Sequence, residues 1–338
     1  MAIRVWATRV VAVIALTALW EAPVRATETD QFLSWLVEIE DSLDALNRFM
    51  NEELGVLLRR LRAEPRDVEC RRVPMLYYEQ IFPNMLDSRI RRHLYLVAEI
   101  DKFPSAEMGY GEYRKASLYR KPLFPYILPM ARTIEVGGIR LGTDKLGHML
   151  GLSRYYYRRY HRGRRRGETV DEALARAVRW GARAESKIVG GLVDGVFSYA
   201  DLEANFQGLQ LARRFCEGTE RLLESTDSGW RQARVIDMRE FINPGFDETY
   251  NINYYTRFRW HRVEPILLER YCPQLQSQFV QKRFERYRAI DRPSFSRRLL
   301  QEEWQDRGRF VQAKQRLENI CDGSRGTPVE AGIEADDG

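Results

Sequence analysis

Apolar residues at Phe32, Leu36, Ile39, Leu43, Leu46, Met50, Leu54, Leu57 and Leu61 recur in steps of three and four. That spacing predicts one amphipathic helix from Asp30 to about Leu61. It suits packing within the monomer better than a coiled coil, because the stripe mixes Phe and Met with Leu and is short for a zipper. Pro65, Pro74 and Pro83 mark a connector, and Ile90, Leu94, Val97 and Ile100 predict a further helix from Leu86 to about Ile100. His93 lies among arginines on its polar side and reads as solvated. Phe103 to Pro129 loses the period and combines prolines with Tyr110, Tyr113, Tyr119, Phe124 and Tyr126. Such a stretch is an ordered wrap, since linkers are poor in aromatics.

The period then changes to two. Ile134, Val136, Ile139 and Leu141 alternate with polar residues around Gly137-Gly138, which predicts a hairpin over Thr133–Gly142. Thr143 is the expected N-cap of a central helix on which Asp144, His148, Gly151 and Tyr155 share one side. Thr169 and Glu172 form a capping box for a helix running to about Val193. On its inner face Leu174, Val178, Gly181 and Ile188 are joined by Glu185, a carboxylate where an apolar residue belongs. Ser198 caps a third helix with Asp201 at N3, followed on the same face by Asn205 and Gly208. Residues 219–262 show no clean period, and helices resume from Pro265 to about Ile320. The fold expected is mainly α: a compact helical domain over 27–322 with a small β-hairpin before the central helix, and a disordered C-terminal tail over 323–338.

Charge and cysteine usage add a compartment. Arg4 and Arg9 precede an apolar run from Val10 to Trp20, and Val24-Arg25-Ala26 ends in the small residue that suits signal-peptidase cleavage. Residues 1–26 therefore read as a signal peptide, with Thr27 first in the mature chain; the run is too short for a membrane anchor. Cleavage removes three arginines and one glutamate, so the formal charge falls from +6 to +4. The product is expected to be exported, periplasmic or envelope-associated, with no transmembrane segment. Its basic balance points to an anionic envelope lipid or wall polymer as partner and not to nucleic acid, for which no fold motif is present. Cys70, Cys216, Cys272 and Cys321 contain no C-x-x-C and suggest two disulfides rather than zinc ligands. Three pairings are open; Cys272 and Cys321 flank one helical segment, which favours that pair and leaves Cys70 with Cys216.

Candidate chemistry converges on residues 142–208. Asp144, His148, Glu185 and Asp201 are a sparse ligand set, better suited to a divalent ion such as Mg or Mn than to zinc. In a catalytic reading His148, Glu185 and Asp201 serve as ligands or acid–base groups. Asn205 orients them, and Lys145, Tyr155, Arg158 and Arg159 hold an anionic substrate. Taken singly, Glu185 is equally explained by a structural ion pair, Asp201 by its cap, and the arginine run 158–166 by solvation. No Gly-x-Ser-x-Gly, His-Glu-x-x-His or phosphate-binding glycine loop is present.

Asp144-Lys145-x-x-His148, the lone Glu185 and Phe197-Ser198-x-x-Asp201-x-x-Ala204-Asn205-x-x-Gly208 together resemble the signature of the VanZ-like and YfiM-like bacterial envelope proteins. Arg176, Arg179, Arg183 and Lys187 make the Glu185 helix unsuitable for lipid, so the YfiM-like branch is the nearer comparison. Ile188 stands where that pattern carries a second polar residue. The resemblance implies an envelope location and a helical fold with a shared polar site, and supplies no reaction. Two functions follow: an exported scaffold or binding protein in which the Asp/His/Glu/Asn cluster fixes helix register, or a hydrolase or transferase acting on an envelope lipid or glycan.

Overall fold

The computed structural model describes residues 28–63, 68–84, 88–105, 107–120, 130–189, 195–227, 229–303 and 317–322. The predicted leader, 1–26, and C-terminal tail, 323–338, lie outside the described residues, as does 121–129 of the aromatic wrap. The fold is mainly helical, with three two-stranded antiparallel sheets among the described residues. One continuous apolar cluster of buried side chains runs from Phe32 to Ile320. No described helix is long and apolar enough to cross a membrane.

The first predicted helix divides. A 3-10 turn at Gln31–Ser34 is followed by extended chain, and the α-helix proper, α1, is Leu43–Ala63. Leu36, inward in the periodic reading, is 51% exposed. The break follows from where the backbone groups find partners. Arg140 donates to the Ser34 and Val37 carbonyls, Arg283 donates to that of Trp35, and Ser42 N–H donates to Glu135 O. Helical periodicity cannot register such distant donors, and here they outweigh local propensity.

Helix α2 is Val73–Ile81, α3 is Arg89–Leu96 and α4 is Tyr110–Ala116. His93 of α3 is half-buried, its ring stacked on Phe49 at 4.3 Å between centroids, where solvation was expected. The hairpin forms as predicted from β1, Thr133–Val136, and β2, Ile139–Gly142, paired Thr133↔Gly142 through Val136↔Ile139. Gly137 and Gly138 have φ of 62° and 78°, the left-handed values that the two-residue turn needs. Asp41 caps this turn, accepting from both glycine N–H groups at 2.9 and 3.1 Å.

The hairpin leads directly into the central layer: α5, Thr143–Gly147; a π turn, His148–Leu152; and α6, Ser153–Arg164. Thr143 is the first helical residue rather than the N-cap, and its hydroxyl accepts from Arg132 N–H. The capping box at Thr169 opens α7, Val170–Ala184, which passes into a second π turn at Glu185–Val189. Strand β3, Val196–Phe197, precedes α8, Tyr199–Arg214, capped by Ser198 as predicted. Helix α6 packs on both α7 and α8, and two glycines set the distances. A side chain at Gly181 would collide with the Tyr156 hydroxyl, and one at Gly208 with the Met149 carbonyl.

The aperiodic stretch holds the hairpin β4, Leu223–Thr226, with β5, Gly229–Gln232, two 3-10 turns, and β6, Tyr254–Tyr255, which pairs with β3. The last helices are α9, Arg257–Ile266; α10, Cys272–Leu275; α11, Gln278–Ile290; α12, Phe295–Glu303; and α13, Leu317–Cys321. Cys70 is bonded to Cys216 and Cys272 to Cys321.

The residues nearest the predicted cleavage point are buried. Glu28, Thr29, Asp30 and Gln31 are each under 10% exposed. Asp30 accepts from the N–H groups of Leu33 and Leu118, but burial outweighs these donors and raises its carboxyl from 3.8 to about 6. A folded pKa above the unfolded one favours the native state at low pH. The contribution is complete below about pH 4 and is lost as pH rises through about 6, amounting to about 3 kcal/mol. Asp30→Asn is therefore expected to raise stability relative to the parent progressively over that window, as read from urea unfolding at stepped pH. A difference between the two chains that does not vary with pH would refute it.

A buried charge network as the candidate functional site

Lys145 sits on α5 with its side chain fully buried. A lone ammonium in that position would carry a large desolvation penalty, and the fold surrounds it with acids. Its Nζ lies 2.7 Å from Asp144 Oδ2 and 2.6 Å from Asp201 Oδ1, and also contacts Glu248 Oε1. Burial pulls the ammonium's pKa down, but Asp144, Asp201, Glu248 and Glu28 together hold it well above the usual lysine value. Lys145 is thus a charged group held in the core by carboxylates from three separate parts of the chain.

Each acid is itself positioned. Thr29 donates its hydroxyl to Asp144 Oδ1 at 2.5 Å. Ser198 Oγ accepts from Asp201 N–H at 3.1 Å while directing its own proton towards Glu248 Oε1 at 3.4 Å. Glu248 donates its backbone N–H to Gln31 Oε1 at 2.8 Å. Its neighbour Asp247 is fixed by Thr249 N–H and by the Tyr287 hydroxyl. Burial raises the Glu248 carboxyl to about 7, against the pull of Lys145. For Asp201 burial acts in the same direction, yet His148 and Lys145 together bring its carboxyl below the usual value.

His148 opens the π turn, with Nε2 3.2 Å from Asp201 Oδ2. Burial lowers its pKa more than Asp201 raises it, so the imidazole is neutral at pH 7. The Asn205 carboxamide stands beside both His148 and the Tyr156 hydroxyl. These contacts are poorly aligned: the His148 nitrogens, the Tyr156 hydroxyl and Asn205 Oδ1 lie close to polar neighbours without reaching good hydrogen-bond geometry. Glu203, two residues before Asn205 on α8, shows the contrast. Its carboxylate accepts from Gln207, Asn243 and Ser294.

The structure thus brings together Asp144, Lys145, His148, Asp201 and Asn205 of the predicted set. Glu185 joins through Ser198, whose N–H it accepts at 3.2 Å, and lies next to Tyr156. Asp144, His148 and Asp201 offer ligand atoms within 4.8 Å of one another; Glu185 stands outside that trio. A divalent ion placed there would share two of its three ligands with the Lys145 ammonium, an unfavourable like-charge arrangement. The site is closed: Lys145, His148, Glu185, Asp201, Asn205 and Glu248 are each 3% exposed or less.

Tyr155, Arg158 and Arg159 lie elsewhere. The π turn inserts a residue into the helix and advances everything after it, so Tyr156 faces the cluster and Tyr155 turns outward onto Trp180. Arg159 also packs over Trp180, and Arg158 is exposed. Sequence reasoning missed Glu248, Thr29 and Gln31 as well as Tyr156. The first comes from the aperiodic stretch and the next two from just after the predicted leader. Only the buried position of Lys145 calls for further acids, and burial is not legible from spacing. Comparisons with family models, with curated proteins and with solved structures return no match.

Proposed function

We propose that the chain is an exported envelope protein acting as a scaffold or binding protein, whose polar cluster serves as a structural charge network. The observation that carries this reading is the Lys145 ammonium, enclosed by Asp144, Asp201 and Glu248. The cluster supplies its own cation and presents almost no surface to a substrate. Charged groups arranged in this way fix the register of α5, α8 and the Glu248 loop against one another. The predicted leader and the paired cysteines support export, and the resemblance to YfiM-like proteins agrees with an envelope location.

A second reading is a hydrolase or transferase acting on an envelope lipid or glycan. The poorly aligned polar contacts among His148, Tyr156 and Asn205 favour it, because a purely structural network pairs its buried groups with good geometry. In that reading His148 is the base or a ligand, and Asp201, Glu185 and Asn205 complete the site, with Asp144 added if Mg or Mn binds.

Metal content and unfolding of the exported chain, beside His148→Ala and Glu185→Ala, separate the two. The structural reading expects a mature N-terminus at Thr27, no stoichiometric divalent metal, and a loss of about 2–4 kcal/mol in each variant. Bound metal that disappears in both variants while the fold persists would overturn it in favour of the enzyme.

A further inference from the structure

The arginine-rich outer face of α6 and α7 has a pattern of its own. On α6 and the turn that follows it, Tyr155, Arg159, Arg162 and Arg166 follow one another at i, i+4, i+7 and i+11. On α7 and its π turn, Trp180, Arg183 and Lys187 continue from Arg176 with the same spacing. The two stripes meet: the Tyr155 and Trp180 rings are 5.8 Å apart, and the Arg159 guanidinium lies 3.6 Å from the Trp180 centroid.

Arg162, Arg165, Arg166, Arg183 and Lys187 are exposed; Arg166 acts on Glu168 only at a distance, and Arg183 shares a cleft with Glu168, Asp171 and Glu172 without a direct ion pair among the described residues. Nearby acids are engaged elsewhere, Glu168 with Arg176 and Glu303 with Arg179. The face therefore carries a clear excess of cations over acids around a half-buried Tyr–Trp pair. Arginine alone would suit any polyanion. Aromatic rings with one apolar side and one polar edge, set among cations, match the boundary between lipid headgroups and acyl chains.

We propose that this face docks the protein on membranes containing anionic phospholipid, peripherally and without insertion of a helix. The occupant belongs to the envelope setting proposed above, but the binding itself is measured on purified protein and stands or falls whether or not the leader is cleaved.

The test is co-sedimentation of chain 27–338 with phosphatidylcholine vesicles, with or without about one-third phosphatidylglycerol. The expected result is binding to the anionic vesicles alone, weakened strongly by high salt. Neutralising four cations, in Arg162→Gln with Arg165→Gln, Arg166→Gln and Arg183→Gln, should lower partitioning by about two to three orders of magnitude. Trp180→Ala should weaken what remains. The four arginines are exposed, so unchanged thermal unfolding is the control for the quadruple variant; for Trp180→Ala, which packs against the core, the control is a retained cooperative transition above the assay temperature. Equal binding to neutral vesicles would overturn the proposal, as would an unaffected quadruple variant. So would equally tight binding to soluble polyphosphate with no effect of Trp180→Ala, which would identify a non-lipid polyanion as the ligand.

Discussion

Lys145→Met is expected to be the most damaging single substitution in the chain. Methionine matches the length of the lysine stem but removes the charge, leaving Asp144, Asp201 and Glu248 facing one another in the core without a counter-ion. Removing one partner from a buried ion pair costs about 3–5 kcal/mol, and here three acids lose the same partner. The variant should unfold at much lower denaturant than the parent, or fail to accumulate. Adding Asp144→Asn and Asp201→Asn to Lys145→Met should recover part of the loss, because neutral amides tolerate one another where carboxylates do not. A Lys145→Met chain as stable as the parent would show that these acids are neutral in the folded state and that the network carries no charge. The triple variant separates a charge effect from a packing effect, since it keeps the methionine.

The second large effect belongs to the Cys70–Cys216 disulfide, which joins the turn before α2 to the end of α8 across 146 residues. Closing a loop of that length in the unfolded chain is worth about 5 kcal/mol, against about 4 kcal/mol for the 49-residue separation of Cys272–Cys321. Cys70→Ser with Cys216→Ser is expected to lower the denaturation midpoint more than Cys272→Ser with Cys321→Ser. The reverse order would mean that native contacts around α13 depend on their bridge more than chain entropy does. Reductant should collapse all three proteins towards a common, lower midpoint.

The parts of the fold that local chemistry decides were legible in the sequence. The hairpin followed from Gly137-Gly138, the start of α7 from Thr169 and Glu172, and the start of α8 from Ser198. Each is a short-range hydrogen-bond or backbone requirement with few alternative solutions. The site was legible for a related reason: Asp144, His148, Asp201 and Asn205 are polar residues at helical spacing on helices that must bury one face. What escaped was anything set by partners distant in the chain. Leu36 fits the helical period, yet Arg140 and Arg283 draw the carbonyls on either side of it out of any helix. Tyr155 fits the period from His148, yet the π turn shifts the phase and substitutes Tyr156. Glu248 sits in a stretch with no period at all, held by Gln31 and Ser198.

Connectivity within the network also constrains the order in which it forms. Gln31 receives the N–H of Glu248 across 217 residues, and Thr29 reaches Asp144 across 115. Whatever delivers the chain from its N-terminus presents these two early residues long before their partners exist. Lys145 likewise emerges with Glu28 and Asp144 already present and waits for Asp201, then for Glu248. Loop closures of this span slow folding, and no N-terminal fragment ending before residue 248 contains the full set of charges. The ion network can therefore close only when nearly three-quarters of the chain is available to fold.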